Sequence, residues 1–238
     1  MPKLPSFFYN GPLVEDSTVT LDADTAKHIW QVLRMVPDDK ILLTDGKGSV
    51  AEGHIHVAER HKCNVSVGPV SYHPRQGGIL HLAVGFTKNN SRNEWLLEKA
   101  TELGVGTIVP LIASRSEKTH IRHDRWHKIL QSAVLQSQQY YIPVLTETMP
   151  FKTVMQQYGS VSQKFVAHCF DDGNKRPISE MLKPAAETIL LIGPEGDFTP
   201  DEVNLCAKHG FTPVSLGTQR LRTETAAIAA AAWFNLNF

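Results

Sequence analysis

Between residues 79 and 235, short apolar runs alternate with stretches of helical period. The runs at 79–86, 107–112, 164–169, 188–192 and 213–216 are rich in Val, Ile, Leu and Phe. They are too short for helices and are predicted as strands. Helices are predicted at 92–103 (closed by Gly104), 124–139 (ending before Pro143), 151–158, 199–209 and 223–235. The fourth carries the clearest signals. Thr199 is its N-cap, Pro200 takes the first helical position, Glu202 completes a capping box and Gly210 follows its end. Strands alternating with helices predict a mostly parallel sheet covered on both faces.

The residues before 73 follow a different rhythm. Strands are predicted at 6–9, 41–44, 50–58 and 64–72, with the turn Asp45-Gly46-Lys47-Gly48 between the second and third. One amphipathic helix is predicted at 22–34, with Ile29, Val32 and Leu33 on its apolar face. Short strands with one helix suggest a small barrel. His73-Pro74-Arg75-Gln76-Gly77-Gly78 is rich in residues that interrupt regular structure and reads as a linker. Two domains are therefore expected, 1–72 and 73–238.

Composition changes this picture little. A 42% hydrophobic and 20% charged content over 238 residues is that of an ordinary globular protein. Twenty-four basic and 24 acidic residues cancel, so a nucleic-acid contact must use a local patch. Cys63, Cys169 and Cys206 form neither a metal-type spacing nor a disulfide framework, which fits a reducing compartment. No apolar run reaches membrane-spanning length, and Met1-Pro2-Lys3-Leu4-Pro5 lacks the apolar core of a signal peptide. A cytoplasmic protein is expected.

Candidate chemistry concentrates in two turns. Leu191-Ile192 runs into Gly193-Pro194-Glu195-Gly196, and Leu216-Gly217 leads through Leu221-Arg222 into Thr223-Glu224-Thr225-Ala226. Open α/β sheets bind ligands beyond the carboxyl ends of their strands, so two such turns can share one pocket. Pro194 stiffens the first turn and its glycines allow close backbone approach. Turn geometry does not require the Glu195 carboxylate. Thr223 or Thr225 could serve only to cap the last helix, whereas Arg222 has no such duty. Lys88 and Arg92 read equally well as phosphate contacts and as a solvated face. Gly46-Lys47-Gly48-Ser49-Val50-Ala51 matches a dinucleotide fingerprint in letters, but a hairpin strand follows where a helix is required. His120, His123 and His127 share a possible helical face, but Arg122 and Arg125 are interleaved and no metal site is expected there.

Taken together, these motifs resemble one family: the bacterial ribosomal RNA small subunit methyltransferase E group of the SPOUT superfamily. The likeness is strongest at Glu98-Lys99-Ala100-Thr101-Glu102-Leu103-Gly104-Val105, at 191–196 and at 221–226, and weaker at Val32-Leu33-Arg34, Arg125-Trp126, Gln136-Ser137 and Ile142-Pro143. It implies an α/β fold with a C-terminal trefoil-knotted SPOUT domain and an N-terminal PUA-like β-barrel that binds RNA. It also implies methylation of uridine N3 in 16S ribosomal RNA near the decoding centre. The cofactor would be S-adenosylmethionine, no metal would take part, and the chain would form a homodimer through the knot. The RNA would be met within the small ribosomal subunit.

Carried onto this sequence, the resemblance places cofactor contacts at His168, Gly193, Pro194, Glu195, Gly196, Leu216, Gly217, Leu221, Thr223 and Ala226. It places Arg222 and Glu195 nearest the reaction, with Glu195 or Glu224 as proton acceptor. RNA contacts are expected at Arg34, Lys88, Arg92 and Arg115. The sequence departs from the family pattern at Asp197, where a second glycine is usual, and at Arg220, where a bulky apolar residue is usual. Gln139 and Ser6 align with positions that often hold arginine. A non-catalytic RNA-binding or ribosome-assembly module of the same fold is the alternative, with Asp197 disturbing the cofactor turn.

Overall fold

The computed structural model describes residues 4–170, 173, 175–184 and 186–237. These form two compact units, one of residues 1–75 with 134–142 and the other of residues 76–133 with 143–238. Among the described residues no helix is long and apolar enough to cross a membrane.

The first unit contains β1 (Ser6–Phe8), β2 (Thr18–Leu21), α1 (Ala23–Lys27), β3 (Lys40–Thr44), β4 (Ser49–Glu59) and β5 (Lys62–Tyr72). Its sheet has the order β1-β3-β4-β5-β2, with only β1 and β3 parallel. Strand alternation sends Val19, Leu21, Ile41, Leu43, Ile55, Val65 and Val67 into one core with Ala26 and Ile29. Cys63 lies in that core, where burial pushes its thiol up to about 11. The Asp45 carboxylate accepts from the backbone N–H groups of Lys47 and Ser49 at 2.7 and 3.0 Å, and Gly46 and Gly48 take φ of 67° and 105°. This Asx turn launches β4, a strand, so the glycines serve a hairpin.

The helix expected at 22–34 is shorter and wider. After α1, whose N-cap Asp22 accepts from Thr25 N–H, residues His28–Val32 form a π turn closed by Leu33 N–H to His28 C=O at 3.1 Å. The extra residue per turn rotates the end of the segment away from the core. Ile29 is buried as expected, but Val32 and Leu33 are 63% and 41% exposed.

Residues 134–142 belong with this unit. Gly48 N–H donates to Tyr140 C=O and Ile142 N–H to Gly46 C=O. His73 stacks on Tyr140 with ring centroids 3.9 Å apart, and the Arg75 guanidinium lies over the Tyr141 ring at 4.6 Å.

The second unit runs β6 (Ile79–Val84), α2 (Asn90–Glu102), β7 (Thr107–Ile112), α3 (His123–Ser137, its residues from Val134 on belonging to the first unit), β8 (Val144–Leu145), β9 (Met149–Pro150), α4 (Phe151–Gln157), β10 (Gln163–Ala167), β11 (Arg176–Pro177), α5 (Ile178–Met181), β12 (Glu187–Ile192), α6 (Pro200–Lys208), β13 (Thr212–Ser215) and α7 (Thr223–Asn237). The order is β11-β13-β10-β12-β6-β7-β8, all parallel, with β9 also beside β7. This is the expected parallel sheet. Residues of both parities are buried along its strands. Ala83, Val109, Ile189 and Leu191 pack with Phe151, Val154, Phe198 and Cys206, while Leu82, Ile108 and Leu190 are equally buried. Helix α7 packs on α2, β6 and β12 through small residues, with Ala227, Ala230 and Ala231 buried. The Thr199–Glu202 capping box forms as expected, with Pro200 in the first turn.

The strand order sets up the site. From β12 the chain passes through α6 to β13, on the far side of β10. The carboxyl ends of β13, β10 and β12 are thus neighbours, although Ala167 and Ser215 lie 48 residues apart in sequence.

Candidate active site

A cavity of about 650 Å³ opens at those three strand ends. That is within the usual range for a small-molecule site, about 300–1,000 Å³. Its lining comes from the loop after β10 (His168, Cys169 and Lys175), the turn after β12 (Gly193 to Glu195, and Asp197), the loop after β13 (Leu216 to Arg222) and the start of α7 (Thr223, Glu224 and Ala226). Arg92 of α2 completes it.

The turn after β12 is braced from several directions. Asp197 N–H donates to Pro194 C=O at 2.9 Å, closing a β-turn. The buried Thr223 hydroxyl donates to Gly193 C=O at 3.0 Å, which ties α7 to the turn. Arg115 donates to Gly196 C=O at 2.8 Å. Beside it, Ser114 donates from both its N–H and its hydroxyl to Glu202, the capping residue of α6. Burial pushes the Glu202 carboxyl up, but the hydrogen bonds from Thr199 and Ser114 outweigh it and hold the group below its ordinary value.

The loop after β6 supports the turn from behind. Gly85 N–H donates to Ile192 C=O, and a Cβ on Gly85 would meet Pro194 N at 2.6 Å. Any side chain here would therefore displace the turn. Asn93, 1% exposed, holds the next residues: its carbonyl accepts from Thr87 N–H and hydroxyl, and its amide donates to Thr87 C=O. The sequence reading placed Gly85 inside the apolar run 79–86, whereas the strand stops at Val84. Nothing in the sequence singled out Asn93 as a brace.

The expected cofactor residues His168, Gly193, Pro194, Glu195, Leu216, Gly217, Leu221, Thr223 and Ala226 all line the cavity. Gly196 does not; it is exposed, and its carbonyl serves Arg115. Arg222 and Glu195, expected nearest the reaction, both line it. Glu195 also accepts from Lys88 N–H at 3.3 Å.

The four expected RNA contacts separate. Arg34 lies in the first unit, past the π turn, with φ of 53°. Lys88 is exposed and pairs with Glu117 at 2.8 Å. Arg115 is engaged by the turn. Arg92 is at the cavity, with its Nε 3.6 Å from the Glu224 carboxylate, which is itself nearly buried. Among the described residues no group of three or more His, Cys, Asp or Glu is arranged to hold a metal ion.

Residues 76–235 match the family described as the RNA methyltransferase domain, and residues 21–68 match the RNA methyltransferase PUA domain. A solved protein from Porphyromonas gingivalis, described as a probable rRNA-methyltransferase, is 36% identical, with a TM-score of 0.89 over 98% of each chain. The ribosomal RNA small subunit methyltransferase E of Neisseria gonorrhoeae, solved bound to S-adenosyl methionine, is 28% identical. Its TM-score is 0.87 over 97% of this chain and 96% of that one. The protein of the same name from Bacillus subtilis (strain 168) is 26% identical over 230 residues, 91% of this chain and 89% of its own.

Proposed function

The chain belongs to the RNA methyltransferase domain family, and on that premise we propose that it moves a methyl group from S-adenosylmethionine to N3 of a uridine in 16S ribosomal RNA. The observation that carries this reading is the cavity at the ends of β10, β12 and β13, lined by both signs of charge.

The residues present fit the cofactor. Glu195 and Glu224 bring carboxylates, while Arg92, Lys175, Arg220 and Arg222 bring cations. A ligand with an amino group, a carboxylate and a sulfonium centre needs both. Gly217, at φ of 144° with open space where a Cβ would stand, leaves its backbone accessible. When bound, S-adenosylmethionine supplies an electrophilic methyl group on sulfur.

The rest falls to the chain. Uridine N3 carries a proton about as weakly acidic as a phenol's, with a pKa of roughly 10. Arg222 stabilises the charge that develops on the base as that proton leaves. Glu195 or Glu224 takes the proton, directly or through water. The braced turn would hold the cofactor and so fix its orientation toward the base, with the thioether as the leaving group. Pairing hides N3, so the target uridine is presented unpaired.

The N-terminal domain, residues 1–72, serves as an RNA-binding module that includes Arg34, and Lys88 and Arg92 contact RNA from the domain that holds the cavity. The C-terminal segment threads a loop to make a trefoil knot, and two copies pair through the knot domain. The RNA is met in the small subunit, in the cytoplasm.

The test is transfer from labelled S-adenosylmethionine to unmodified small subunits and to naked 16S RNA, with the product nucleoside identified by mass spectrometry. 3-Methyluridine supports the reading. A different methylated nucleoside overturns the target. No transfer, with no cofactor binding, leaves a non-catalytic RNA-binding module.

A further inference from the structure

Asp197 has a backbone φ of 58°, in the left-handed region that glycine adopts freely and other residues rarely do. Asp is tolerated there when its short carboxylate finds local partners. Here both oxygens do. Oδ1 accepts from Phe198 N–H at 2.8 Å, and Oδ2 accepts from Cys169 N–H at 2.8 Å. The first bond is local and stabilises the turn conformation. The second reaches across 28 residues of sequence to the loop after β10.

That second bond joins two walls of the cavity. Strands β10 and β12 are paired in register up to Ala167 and Ile192. Beyond those residues the strand ladder ends, so the loops need another tie. Asp197 and Cys169 both line the cavity, so their bond lies at its wall. The third wall is also close. Burial raises the Cys169 thiol and Asp197 adds to the rise, while Arg220 and Lys175 oppose it. Lys175 and Arg220, cations of the loops after β10 and β13, line the same cavity as the carboxylate. A glycine at 197 would fit the backbone but leave the Cys169 amide without this acceptor.

We propose that Asp197 is a positioning residue of the cofactor pocket: its carboxylate clamps the loop after β10 to the turn after β12 at the separation the ligand requires. This rests on the S-adenosylmethionine reading given above, whereas the clamp itself can be tested without any ligand. The clamp holds the pocket open at a fixed width, so its loss should weaken cofactor binding and leave the reacting groups intact.

The experiment compares wild type, Asp197→Gly and Asp197→Asn. Three readings are taken: amide hydrogen exchange at residues 168–170 without ligand, the thermal midpoint, and S-adenosylmethionine titration with steady-state kinetics. For Asp197→Gly the expected result is Cys169 amide exchange about tenfold faster and a Kd about tenfold weaker, equivalent to about 1.4 kcal/mol. The thermal midpoint should change little, because glycine's ease at positive φ offsets the lost carboxylate bonds. Turnover at saturating cofactor should stay near wild type, so KM moves and kcat does not. Asp197→Asn keeps one acceptor oxygen and should fall between the two. Unchanged exchange and unchanged Kd would overturn the clamp. A lowered thermal midpoint with kcat and KM falling together would overturn it too, by making Asp197 a support of the fold. Faster exchange in the variant, with no cofactor binding even by wild type, would overturn the ligand assignment and with it the positioning role, while leaving the clamp as a structural tie.

Discussion

The Thr223 hydroxyl donates to the Gly193 carbonyl at 3.0 Å, a buried bond between residues 30 apart in sequence. It fixes the first turn of α7, and with it Arg222 and Glu224, against the turn after β12. Thr223→Val removes the donor and leaves a buried carbonyl without it, at a cost of about 1–3 kcal/mol. The variant should unfold at lower denaturant concentration and bind S-adenosylmethionine more weakly, whereas Thr223→Ser should restore both. Equilibrium unfolding and calorimetric titration of the two variants decide this.

Gly85 is predicted to be intolerant of any side chain. Its Cβ would stand 2.6 Å from Pro194 N, a backbone atom that cannot turn aside. Gly85→Ala should push the turn into the cavity and weaken cofactor binding at least tenfold, roughly 1.4 kcal/mol. Binding equal to wild type would show that the turn relaxes freely.

Arg222 should matter to the reaction more than to binding. Arg222→Ala is expected to lower kcat by about a hundredfold or more, the usual scale for losing one preorganised group that stabilises developing charge. The cofactor Kd should move only a few-fold. Full turnover at saturating cofactor and RNA would remove Arg222 from the chemistry.

Acid should loosen the site through Glu202. Four hydrogen bonds from Thr199 and Ser114 hold its carboxyl below the ordinary value of 4.5, against the opposing effect of burial. A depressed folded value means the stabilisation is complete above 4.5 and is lost as pH falls through the folded value. Glu202→Gln should therefore be less stable than wild type at pH 7, and the gap should narrow as pH drops below 4.5. Urea midpoints measured from pH 7 to pH 3 test the sign.

Arg115 was expected on the RNA and is found on the turn, donating to Gly196 C=O at 2.8 Å. Arg115→Ala should weaken cofactor binding in the absence of RNA. If only RNA binding and its salt dependence change, the contact with Gly196 is incidental.

The sequence made the second unit legible because buried parallel strands and capped helices leave strong local signals. The runs at β6, β7, β10, β12 and β13 and the Thr199–Glu202 box were all read from the chain. The features it hid depend on tertiary partners. Strands β8, β9 and β11 have two residues each, too few to show a period. The π turn after Asp22 looked like continuous helix because 3.6-residue spacing cannot show where a turn widens. Tyr140 and Tyr141 gave no hint that they pack beside His73 and Arg75. In the site, the glycines and Arg222 were visible as residues without a structural duty. The Asp197 carboxylate, read as a possible disturbance, instead accepts two backbone N–H groups.

The order β13-β10-β12-β6 has a consequence for the newly made chain. The cavity draws on Arg92, on residues 167–169, 192–195 and 197, and on the approach to α7, which itself rests on β6 and α2. A nascent chain that has exposed β6 to β13 but not α7 holds the strands of the sheet but no completed pocket. Ligand binding can therefore stabilise only the finished fold and gives no help to its partial precursors. Contacts this distant in sequence also close slowly. For this pocket, competence for the cofactor waits on the docking of α7 against α2 and β6.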